Sequence, residues 1–96
     1  MDYRGKRWEA LRERVLRRDG YKCRECRRYG LAVDANTVHH VYPAGRYPAW
    51  RWEKWNLISL CASCHNAMHD RNSEALTEKG LGWCRRVSPP HPAVRS

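Results

Sequence analysis

The chain has 96 residues, enough for one domain whose core is small enough to need a bound metal or cross-links. Hydrophobic residues make up 42% of it, which excludes a disordered tail, and no apolar run nears the ~18 residues of a membrane span. Nineteen Lys and Arg against ten Asp and Glu leave a net charge of +9, which favours a polyanionic partner, nucleic acid before an acidic membrane surface.

Met1 to Lys6 is polar and leads into no apolar segment, so no secretory signal is expected. The expected compartment is the reducing cytoplasm, where thiols bind metals more readily than they pair. A helix is predicted from about Arg4 to Arg18, with Trp8, Leu11, Val15 and Leu16 as its apolar stripe and arginines over most of the rest. Asp19-Gly20 ends it, Gly20 being suited to a left-handed residue after the last turn. Cys23 to Tyr29 reads as a tight polar turn, and Thr37 to Val41 as a short strand. Tyr42 to Trp55 is a loop with two Pro and three Trp, and Leu57 to Leu60 is the return strand of a hairpin. A helix from about Ala62 to Arg71 follows, then a short one over Ser73 to Lys79 stopped by Gly80. Among the tryptophans, Trp8 and Trp55 are the expected core members. The nine residues from Ser88 hold three Pro and are expected to be disordered, leaving residues 1–87 as the domain.

Cys23-x-x-Cys26 and Cys61-x-x-Cys64 are two knuckles of identical spacing. Two intervening residues let both sulfurs of a pair face one centre, and two pairs complete a tetrahedral S₄ shell suited to structural Zn²⁺. Such a shell has no open position for water, so it holds the fold and does no chemistry. Disulfides are the alternative use of these thiols. The 34 residues between the pairs exceed the roughly 15–20 of a simple ribbon, so a further unit is inserted there. Cys84 is left over as an ordinary thiol.

That inserted unit carries His39-His40 on the first strand, where neighbouring side chains point to opposite faces. His65 and His69 follow the last cysteine at the i, i+4 spacing that shares a helix face, a ready metal pair. Asn56 opens the return strand. A Cys₂His₂ finger is excluded, because 38 residues separate Cys26 from His65 where such a finger has about 12.

Cys23, Cys26, His39-His40, Asn56, Cys61, Cys64 and His65, with the run Asn56-Leu-Ile-Ser-Leu-Cys-Ala-Ser-Cys-His-Asn66, resemble the HNH endonuclease family (His-Me finger or ββα-metal nucleases) in its four-cysteine zinc-ribbon form. The resemblance spans roughly Trp8 to Arg71. It implies a small α+β fold, a ββα-metal finger of hairpin plus helix, with a four-cysteine zinc site and an N-terminal basic helix. It further implies a metal-dependent endonuclease that hydrolyses DNA phosphodiester bonds to 5′-phosphate and 3′-hydroxyl ends. By position, His40 matches the general base, His39 and His65 the ligands of a catalytic divalent ion, and His69 a ligand present in some members. Asn56 matches the family's middle residue, which fixes the loop or touches the ion. Two features depart from the pattern. His at position 39, where many members carry Asp, shifts ligand softness towards transition metals and leaves the catalytic ion open among Mg²⁺, Mn²⁺ and Ni²⁺. The loop also lacks a Gly-Gly and carries Tyr47, Trp50, Trp52 and Trp55 instead.

Arg12, Arg14, Arg17, Arg18, Lys22, Arg24, Arg27 and Arg28 cluster near the first knuckle as candidate phosphate contacts, with Arg46 in the loop. One small domain offers one active site, so nicking of double-stranded DNA by a monomer or weak dimer is expected. The rival reading is a zinc-ribbon DNA-binding module without catalysis, which explains the cysteines and the charge but not the histidines.

Overall fold

The computed structural model describes residues 5–70 and 75–87. Helix α1 spans Lys6–Arg18 and buries the predicted stripe of Trp8, Leu11, Val15 and Leu16. Gly20 takes φ +68° after it, which lets the Tyr21 N–H reach back to the Leu16 carbonyl at 2.8 Å and close the helix end. The first knuckle is a single helical turn, α2 (Arg24–Arg27), capped by the Cys23 sulfur, which accepts from the Cys26 N–H. Strands β1 (Thr37–His40) and β2 (Leu57–Leu60) form the expected antiparallel hairpin, with His39 opposite Ile58 and His40 opposite Leu57. The long connection between them holds two 3₁₀ turns, Pro48–Trp50 and Lys54–Asn56.

All four residues of β2 are buried. Helices α1 and α2 and the second-knuckle helix α3 (Ala62–Asn66) all pack on it. Leu57, Ile58 and Leu60 therefore form the centre of one core with the α1 stripe, Val38, Val41, Met68 and Trp83.

Two predicted helices are corrected. Helix α3 stops at Asn66 instead of running to about Arg71. Beyond it the chain turns back, so that His69 forms a β-bridge with Leu76 and the Asp70 N–H donates to the Ala75 carbonyl at 2.8 Å. The last helix, α4, spans Glu78–Arg86, starting where the predicted one was to end and running through Gly80. Thr77 caps it by accepting from the Gly80 N–H at 3.2 Å. Gly80 is a contact point and not a stop: a Cβ there would lie 2.5 Å from the Met68 carbonyl oxygen. Trp83 on α4 is a core residue at 3% exposure, whereas Trp55 is only half-buried. Arg4, Arg71, the predicted start of the short helix and the tail from Ser88 lie outside the described residues.

Two buried acids tie the layers together. Asp19 accepts from Arg18 Nε and Nη2 at 2.8 and 2.9 Å and from the Ser59 N–H at 3.1 Å, joining α1 to β2. Glu25 accepts from the Trp83 indole N–H at 2.7 Å, joining α2 to α4.

Candidate active site and metal centre

The hairpin and α3 bring the two knuckles together. The sulfurs of Cys23, Cys26, Cys61 and Cys64 all lie within 4.8 Å of one another. Cys26 Sγ is 4.0 Å from Cys61 Sγ and 3.7 Å from Cys64 Sγ. Four sulfurs at ~2.3 Å from a tetrahedral ion stand about 3.8 Å apart, so the cluster already has the dimensions of a metal shell. No two of these sulfurs are joined in a disulfide. Burial pushes the Cys26 and Cys64 thiols up, with Cys23 and Cys61 adding to both shifts, whereas hydrogen bonds outweigh burial at Cys23 and hold its thiol down. A cation is what such a crowd of sulfurs needs to ionise together.

On β1 the alternation of side chains separates the two adjacent histidines. His39 is 1% exposed and turns towards α3, its ring centroid 5.5 Å from His65 and 5.4 Å from His69. The third side of this triangle, His65 to His69, is 6.4 Å. His69 reaches the cluster from the bridge after α3, not from the helix face its spacing suggested. Burial, with the nearby imidazoles, pushes the His39 pKa down to about 3, and burial lowers His65 as well. His39 and His65 are therefore neutral near pH 7 and keep lone pairs for a cation. His39 Nε2 is buried with no hydrogen-bond partner, a cost normally relieved by a ligand. The donor chemistry and this orphaned nitrogen suit a divalent ion, but the three imidazoles stand farther apart than the sulfurs: among the described residues only the four cysteines form a metal-sized cluster.

His40 faces elsewhere. Its ring stacks on Trp8 at 5.5 Å and 15°. Its Nε2 lies 3.0 Å from the Arg51 carbonyl oxygen. A carbonyl only accepts, so Nε2 carries the proton and Nδ1 is left as the basic atom. Burial lowers the His40 pKa, partly offset by that hydrogen bond. His39, His40, His65 and His69 all line one open hollow of about 520 Å³, whose far wall is Pro43, Ala44 and Gly45.

Asn56 is fully buried and its amide is spent on the loop. Oδ1 accepts from the Tyr42 N–H at 2.7 Å, and Nδ2 donates to the Tyr42 and Trp50 carbonyls at 3.0 and 3.2 Å. Of the two roles open to it, fixing the loop is the one these bonds perform, and it does not line the hollow. Cys84 packs on the core and donates to the Val41 carbonyl, away from the sulfur cluster.

The candidate phosphate contacts near the first knuckle are largely engaged within the protein. Arg18 bonds Asp19 and the Lys54 and Leu57 carbonyls, Arg24 pairs with Asp19, and Arg27 donates to the Asp19 carbonyl. Arg28 pairs with Glu25, Lys22 with Asp34 and Arg17 with Glu13, while Arg12 donates to the Asn36 carbonyl. Arg14 and Arg46 are exposed. Glu25 and Trp83 have no part in the sequence reading, and Asp19 enters it only as the end of the first helix. Nothing local marks an acid in a basic run, or a Trp near the chain's end, as buried.

A β-hairpin and a short helix that gather imidazoles beside a four-sulfur cluster are the architecture of the ββα-metal nucleases. The family model described as HNH endonuclease matches residues 23–71, and the chain belongs to that family, whose members are phosphodiester hydrolases. Its structure is similar to that of the deep-sea thermophilic bacteriophage GVE2 HNH endonuclease, crystallised with manganese ion. The two share 36% sequence identity over 67% of this chain and 70% of that one, with a TM-score of 0.65. No curated protein matches the chain in sequence.

Proposed function

We propose that this nuclease is a metal-dependent DNA endonuclease with two metal sites: structural zinc on Cys23, Cys26, Cys61 and Cys64, and a catalytic divalent ion on His39, His65 and His69. The observation that carries this reading is the shared hollow. It places a basic imidazole, His40, beside three further imidazoles, of which His39 has an orphaned buried nitrogen. His40 Nδ1 takes a proton from the attacking water, and the Arg51 carbonyl and the Trp8 ring hold the base in place while it does so. The divalent ion supplies neutralisation of the charge that builds on the phosphate and the leaving oxygen. Three imidazole donors favour Mn²⁺ or Ni²⁺ over Mg²⁺. The manganese of the similar phage enzyme supports that preference.

The products are 5′-phosphate and 3′-hydroxyl ends. One histidine-lined hollow among the described residues favours nicking of duplex DNA by a monomer or weak dimer. The reduced thiols of the knuckles suit the cytoplasm. The test is supercoiled plasmid with Mg²⁺, Mn²⁺ or Ni²⁺. Wild type is expected to nick, and His40→Ala to lose roughly 10²–10⁴-fold in rate with an unchanged circular-dichroism spectrum. Binding of the plasmid without any cut, across all three ions, would instead make the chain a DNA-binding module.

A further inference from the structure

Lysines and arginines crowd this chain, but most of those near the knuckles have a carboxylate or carbonyl partner. One group does not. Arg7 and Arg14 lie two turns apart on α1, and with Lys54 from the 3₁₀ turn before β2 they line an open cleft of about 400 Å³. Among the described residues, the Arg14 guanidinium and the Lys54 ammonium have no hydrogen-bond or ion-pair partner. Arg7 sits over the Trp52 ring, its Cζ 3.9 Å from the centroid, a contact that spends none of its N–H donors on an acceptor. Glu53 also lines the cleft, so three cations stand against one carboxylate.

The cleft is linked to the catalytic hollow by a run of rings. The Trp52 edge packs on Trp8 at 6.3 Å, and Trp8 stacks on His40. Two ring contacts from His40 lead to Trp52, the ring that Arg7 covers in the wall of the cleft. Moving a phosphate onto a paired arginine means breaking an existing pair, whereas Arg14 and Lys54 have no pair to break.

We infer that the Arg7, Arg14 and Lys54 cleft is the principal site for DNA backbone phosphates flanking the one that is cut, ahead of the arginines around the first knuckle. This rests on the nuclease reading and adds the track that its substrate follows.

The experiment measures binding of a short fluorescein-labelled DNA duplex by anisotropy across a salt series, with no added divalent ion. Wild type is compared with Arg7→Gln/Arg14→Gln/Lys54→Gln and with a control triple that removes the same charge from paired cations, Arg17→Gln/Lys22→Gln/Arg85→Gln. The double variant Arg14→Gln/Lys54→Gln leaves the Arg7–Trp52 contact intact and guards against a folding defect. Each phosphate contact contributes about 0.9 to the slope of log affinity against log salt. The cleft triple is therefore expected to flatten that slope by about 2 to 3 and the double by about 2, with the control close to wild type. Equal flattening in the control, or none in the cleft variants, overturns the inference. Plasmid cleavage is scored separately. If wild type nicks DNA while the cleft variants keep the full slope, the cleft fails and the nuclease reading stands. If the slope flattens as expected but no ion supports cutting, the nuclease reading fails alone.

Discussion

Replacing Asn56 by Ala removes three hydrogen bonds at once from a site with no access to water. The Tyr42 N–H loses its acceptor, and the Tyr42 and Trp50 carbonyls lose their donor. At ~0.5–1.5 kcal/mol for each net bond, the loss sums to about 3 kcal/mol. For a domain of this size that lowers Tm by roughly 12–24 °C, given ~4–8 °C per kcal/mol. The damage is also directional. Tyr42 leads into Pro43, Ala44 and Gly45, the wall of the hollow facing the histidines, so the variant should lose activity at temperatures where it remains folded. Urea and thermal unfolding, followed by metal titration of plasmid nicking, separate the possible roles. A positioning role predicts a large stability loss and a fall in kcat, with the half-saturating Mn²⁺ concentration little changed. A variant within about 1 kcal/mol of wild type that demands far more Mn²⁺ would show Asn56 to be a ligand, and the hydrogen-bond reasoning would be wrong.

Asp19→Ala should destabilise by about 2–3 kcal/mol, since it strips partners from Arg18 and from the buried Ser59 N–H. Burial works against its carboxylate, but bonds from Arg18 and Ser59 outweigh it and hold the pKa below the usual 3.8. Its stabilising effect is present above that value and is lost only as pH falls through the lower folded pKa, so the difference between wild type and variant should be flat from about pH 5 to 8. A difference that changes across that interval in denaturant titrations would contradict the assignment. Cys64→Ser, or exhaustive chelation, should remove the cluster's metal and unfold the domain, because ligation of such shells supplies on the order of 10 kcal/mol. Metal content by mass spectrometry with circular dichroism checks this, and a folded metal-free chain would refute it.

Most of the site was legible because its logic is local. Cysteine spacing announces the knuckles, the Val-Ile-Leu-rich runs announce the hairpin, and two-residue periodicity sends His39 and His40 to different faces. The errors lie where tertiary contact overrules local pattern. His65 and His69 have helical spacing, yet α3 ends at Asn66, because the following residues pair with Leu76 and Ala75 from a later segment. Gly80 reads as a helix stop in isolation. In the fold it lets α4 press against the Met68 carbonyl, where any larger residue collides. The arginines near the first knuckle read as phosphate contacts because a basic run does not show which of its members are held: Asp19 and Glu25 take up Arg24 and Arg28 from a few residues away, and the Leu57 carbonyl takes up Arg18 once β2 is in place.

Cys64 and His65 are consecutive residues of α3, one turned to the sulfur cluster and the other to the imidazoles. One backbone step therefore couples the two clusters, so a change in the cysteine shell is passed directly to His65 and to its spacing from His39 and His69.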